Sequence, residues 1–277
     1  MAKNTKSRKN KSRPGMSKDQ VIQKSSKKNL KTALKSIYEI VNLDTKMSCQ
    51  CVCCKTSCPS LYYSEFLQII SDIWKTWTTE EKTNLICKSI EYFFKNEFEK
   101  WGIQTLVKPC MLQDDKGLCK IYSNRQINCR MFGLWPKEEY NQRVEKFAKA
   151  YEKYGLKKED LPLYFQCPSV ERLDNTQELT LDVINDIYSK LDNLDKRVGT
   201  FSSLQISQKH NYRSFHDWIM YKVFGEEWLS KLTTYLMAAT KDQLEDQIEA
   251  MKTEITKSFA NLDANVKLSL EDVKNDG

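Results

Sequence analysis

The side chains best suited to chemistry are the cysteines, of which the chain holds 10 in 277 residues. Cys49, Cys51, Cys53, Cys54 and Cys58 crowd together between Met47 and Pro59; Cys110, Cys119 and Cys129 form a second group, and Cys167 follows. Disulfides explain the pattern poorly. The basic N-terminus is followed by no apolar signal core, so a reducing, cytoplasmic setting is expected, and neighbours this close cannot all pair without strain. Crowded thiols with no metal would also oxidise readily. Bound metal answers these objections, because soft thiolates suit Zn2+ and iron-sulfur clusters, each taking four ligands. These nine cysteines exceed the needs of one four-thiolate centre, so a second site or a reactive thiol beside the first would account for the rest. Cys87 is set apart. It lies in the apolar run Leu85-Ile86-Cys87, where a thiol acts as a small buried hydrophobe.

The second group reads Pro109-Cys110-Met111-Leu112, then Gly117-Leu118-Cys119-Lys120-Ile121-Tyr122-Ser123-Asn124-Arg125-Gln126-Ile127-Asn128-Cys129-Arg130-Met131-Phe132. This resembles the signature of the YkgJ-type cysteine-cluster family, a zinc- or iron-chelating domain, in which an early tight cluster precedes C…GxCxxYxxRPxxCRxF. Gly117, Cys119, Tyr122, Arg125, Cys129, Arg130 and Phe132 fall on the matching positions. Gln126 stands where the family usually has proline, Gly133 replaces another frequent proline, and the early spacing is CxCxCCxxxC rather than CxxCxxCC. The resemblance implies a metal site without a settled reaction. A related likeness, to flagellin lysine N-methylases with their G-x-C-K-I-Y-S segment, favours a 4Fe-4S cluster over zinc. A four-thiolate cluster is anionic, so Arg125 and Arg130 are expected to offset its charge. Gly117 is expected to let backbone N–H groups approach sulfur, and Tyr122 and Phe132 to shield the site.

The elements that must position these residues are read mainly as helices. Only 8 glycines and 6 prolines are present, too few for the many tight turns of a sandwich or barrel. Helical spacing marks 30–41 through Leu30, Leu34, Ile37 and Val41, then 61–77 through Phe66, Ile69, Ile70, Ile73 and Trp74. Thr78 and Glu81 form a capping box for a further helix ending at Gly102. Residues 103–135 read as an irregular metal-binding loop region. Pro136 opens a helix to Tyr154, 161–168 reads as extended, and helices return over 179–198 and 212–239. Residues 1–29 form a basic disordered arm, 30–170 the cysteine-cluster domain and 171–240 a helical extension. The tail, 241–277, carries a heptad-like seam of Leu244, Ile248, Met251 and Ile255, expected to dock on the body.

The formal net charge is +7, but residues 1–31 alone hold eleven Lys or Arg against one acid, Asp19, leaving the remainder at −3. Such an arm suits nucleic acid or ribosome contact, or simply solvation. The apolar runs are too short to span a membrane. Neither a radical-SAM CxxxCxxC nor a GxGxxG or GxxxxGK[ST] loop occurs: Cys54 and Cys58 are followed at position 61 by Leu61. His210 and His216 lie outside the cysteine region and are assigned to surface or packing roles. Two functions remain open. One is an iron-sulfur protein serving redox or protein modification, methyl transfer included, with an unidentified protein partner or substrate. The other is a zinc-stabilised interaction module.

Overall fold

A computed structural model describes residues 30–41, 45–47, 54, 59–99, 109–132, 134–152, 170–172, 179–198, 212–236 and 238–272. Most of these are helical. In chain order they are α1 (30–40), β1 (Thr45–Met47), β2 (Leu61–Tyr62), α2 (Tyr63–Thr76), α3 (Thr79–Glu99), α4 (Ile127–Met131) and α5 (Lys137–Glu152). Then come β3 (Val170–Arg172), α6 (Leu181–Val198), β4 (Tyr212–Arg213), α7 (Phe215–Phe224), α8 (Glu226–Leu236) and α9 (Lys241–Asp272). The basic arm before residue 30, the 161–168 segment, and the Trp101-Gly102 and Tyr154-Gly155 helix stops lie outside the described residues. Among the described residues no helix is long and apolar enough to cross a membrane.

The apolar stripe of α2 buries Phe66, Ile69, Ile70, Ile73 and Trp74, as its spacing requires. The expected capping box then opens α3: the Thr78 N–H donates to Glu81 Oε2 (2.8 Å) and the Glu81 N–H to Thr78 Oγ1 (3.2 Å). These two helices pack with α7, α8 and α9 around one core, in which Phe66, Phe94, Phe215 and Trp218 are fully enclosed. The seam of α9 (Leu244, Ile248, Met251, Ile255 and Phe259) is buried in that core, and Lys82 of α3 meets Asp263 of α9 at 3.9 Å. The tail therefore lies on its own body.

A second core joins α1 to α6 and α4, through Leu34, Ile37 and Val41 against Ile127, Met131, Ile184, Ile187 and Leu191. Within 212–239 the expected helical pattern is met by two helices, α7 and α8. Gly225 adopts φ +80°, a backbone region open to glycine but strained for other residues, and it separates α7 from α8. Short antiparallel ladders tie distant segments: β2 to β4, with Tyr62 opposite Tyr212, and β1 to β3, with Met47 opposite Val170.

Candidate metal centre

Among the described residues, the early cysteine segment is held at Cys54 and at its end, and strand β1 lies just before it. At its start the β1–β3 ladder sets Met47 opposite Val170. In sequence, Cys49 follows β1 and Cys167 precedes β3. In the middle, the Cys110 N–H donates to the Cys54 carbonyl at 2.6 Å, and both residues are buried. At its end, Gln126 Nε2 donates to the Pro59 carbonyl, and Asn128 Nδ2 to that of Ser60 at 2.7 Å. Cys129 is the next residue. Gln126, which replaces the proline of the resemblance, is thus the buried N-cap of α4 and a clamp on the early segment.

Cys110 and Cys119 stand at the base of a tight loop. Gln113 and Cys119 form a single antiparallel bridge, and the Lys120 N–H reaches the Leu112 carbonyl at 2.9 Å. The turn between them closes on Asp114, whose Oδ1 accepts from the N–H groups of Lys116 (2.9 Å) and Leu118 (2.8 Å). Its carbonyl accepts from the Gly117 N–H at 2.9 Å. Gly117, at φ +75°, does permit the turn. The N–H groups there are engaged by Asp114, however, rather than presented to sulfur. Lys120 anchors the loop to the body through Glu81 (2.5 Å) and the Trp77 ring (4.0 Å).

Arg125 and Arg130 make no carboxylate ion pair among the described residues. Arg130 donates from Nε to the Arg125 carbonyl and from Nη2 to that of Ser123, both at 2.7 Å, with its guanidinium 4.4 Å from the centre of the Tyr38 ring. Arg125 bonds the Tyr122 carbonyl at 3.0 Å and lies 3.9 Å over the Tyr122 ring. Burial pushes the Arg130 guanidinium down and the neighbouring Arg125 adds to this, while Tyr38, Glu65 and Cys129 act in the opposite direction. Tyr122 is 39% exposed and so serves as a platform for Arg125 instead of a shield; Phe132 is half-buried.

Two carboxylates that sequence reading passed over hold this region together. Glu65 is fully buried; its Oε1 accepts from the Ile127 N–H (2.6 Å) and the Tyr38 hydroxyl (2.9 Å), and its Oε2 from the Tyr62 N–H (3.2 Å). Asp195, near the end of α6, accepts from the Tyr63 and Ser64 N–H groups at 3.0 and 2.8 Å and so caps α2 from outside. Burial pushes Glu65 up to about 7 and Asp195 up to about 6, although the donors around each pull the other way. A signal was present for both: Glu65 interrupts the run Leu61-Tyr62-Tyr63-Ser64-Glu65-Phe66, and Asp195 sits four residues after Leu191 on the buried stripe of α6.

Cys49, Cys51, Cys53, Cys58 and Cys167 lie outside the described residues, as does His210. Among the described residues no three His, Cys, Asp or Glu side chains gather as a ready metal site. Cys87 is half-buried between α3 and α9, with Sγ 4.0 Å from the Lys252 carbonyl and its thiol pushed up by burial. His216 is buried edge-on against Tyr92, in keeping with a packing role. Comparison with family models, with curated proteins and with solved structures returns no match.

Proposed function

We propose that the chain is a metal-binding cysteine-cluster protein that holds an iron-sulfur cluster, of the 4Fe-4S type, for a redox or cluster-dependent protein-modifying role such as methyl transfer. The observation that carries this reading is that Cys54 is hydrogen-bonded to Cys110 and that Pro59 and Ser60 are hydrogen-bonded to Gln126 and Asn128, just before Cys129. The donor chemistry fits: thiolates from Cys54, Cys110, Cys119 and Cys129, joined by others among Cys49, Cys51, Cys53, Cys58 and Cys167, would hold the group. Arg125 and Arg130, which make ring and carbonyl contacts, would offset its negative charge. A bound cluster would supply one-electron chemistry.

A zinc-stabilised interaction module is the second reading, favoured by the basic residues 1–31, whose charge suits nucleic acid or ribosome contact. Anaerobic purification separates the two. A brown sample absorbing near 400 nm with about four irons per chain supports the cluster, and a colourless one with stoichiometric zinc supports the module. In either case Cys119→Ser or Cys129→Ser should lower bound metal and the melting temperature together, because metal binding energy is folding energy at such sites. Full metal content with unchanged melting in both variants excludes the metal reading.

A further inference from the structure

We infer that Glu65 is the positioning residue for Cys129, holding the short helix α4 at both of its ends. This deepens the proposed function, resting on Cys129 as a thiolate donor, and follows from the geometry of α4. A helix of five residues cannot sustain itself, since nucleation costs more than one turn of hydrogen bonds returns. Its first N–H, from Ile127, donates to Glu65 Oε1 at 2.6 Å. Its far end is gripped through Tyr38: the hydroxyl donates to the same Oε1 at 2.9 Å, while the ring carries the Arg130 guanidinium at 4.4 Å. Cys129 lies between these two grips. Glu65 itself is fixed in the first turn of α2, where its Oε2 accepts from the Tyr62 N–H. The thiol is therefore referenced to the body of the protein through one buried carboxylate.

The two oxygens have separable duties, and that makes the inference testable. Both grips on α4 use Oε1, so Glu65→Gln, with its amide oxygen in that place, keeps them, while its amide nitrogen replaces the acceptor of the Tyr62 N–H with a second donor. Glu65→Ala loses all three, and Tyr38→Phe loses one grip while keeping the ring beneath Arg130. Site-resolved iodoacetamide labelling of the full chain as purified, read by mass spectrometry, reports the exposure of Cys129. Cys87, half-buried between α3 and α9, reports opening on the side of the other core. Glu65→Ala should accelerate labelling of Cys129 about tenfold or more, the equivalent of one lost net hydrogen bond, with Tyr38→Phe intermediate and Cys87 unchanged. Glu65→Gln should match the parent protein. Parallel acceleration of Cys87 in both Glu65→Ala and Tyr38→Phe, no change at Cys129, or equal effects of Gln and Ala would each overturn the inference. Metal content of the same samples separates this result from the proposed function. Altered Cys129 labelling in protein that never carries metal would leave the positioning role standing and the metal reading refuted.

Discussion

Glu65 and Asp195 show how one buried carboxylate can serve backbone donors from several directions. Each accepts N–H groups at the start of α2, where the helix offers unsatisfied donors and a positive end. Burial still dominates, raising Glu65 from its usual 4.5 to about 7. A carboxyl whose folded value lies above its unfolded value binds its proton more tightly in the folded state. Stability should therefore be greatest below about pH 4.5 for this group, decline as pH rises toward 7, and level off above it. Asp195 acts in the same direction over a lower window, up to about 6. Denaturant unfolding between pH 5 and 8 should show this decline, of order 1 to 3 kcal/mol for Glu65. Glu65→Gln should flatten it. A parent curve that rises with pH over this window would refute the assignment.

Helix boundaries carry the next level of instruction. The Thr78–Glu81 box separates α2 from α3, and the Asp114 turn sets the loop that bears Cys110 and Cys119. Gln126 starts α4 while tying it to Pro59. The break at Gly225 is a matter of backbone alone: a methyl group added there would meet nothing within 4 Å, but φ is +80°. Gly225→Ala should therefore cost about 1 to 3 kcal/mol through strain, without a packing defect. Thermal melting should drop by several degrees. An unchanged melting temperature would mean that the α7–α8 junction readily adopts another conformation.

At the scale of the molecule, α9 completes the first core instead of waiting for a partner, since its seam is covered by α3, α7 and α2. Ile248, 4% exposed, should cost about 2 to 5 kcal/mol when cut to alanine, while Glu245→Ala on the exposed face should stay within about 0.5 kcal/mol. Denaturant midpoints of the two variants test this. Equal small effects would mean that α9 contributes little to the core. The proposed metal binding should survive deletion of residues 1–29, because the cysteines and the described residues of both cores lie beyond them. Loss of metal in a deletion variant that still folds would assign the arm to the site.

The helices of this protein were legible in its sequence because their signals are local. Phe66, Ile69, Ile70 and Ile73 declare one face, and Thr78 with Glu81 marks a start, so periodicity and capping act within a few residues. The cysteine groups were legible for a similar reason, since thiols so crowded carry their own chemical argument. What joins those groups was not. The Cys110–Cys54 bond, the pairing of Met47 with Val170 and the Gln126 clamp on Pro59 link residues 56, 123 and 67 positions apart. No local pattern specifies such partners. Glu65 and Asp195 were passed over for the converse reason. A carboxylate in an apolar stripe is tolerable only when distant donors meet it, and the fold alone brings Tyr38, Ile127, Tyr63 and Ser64 to them.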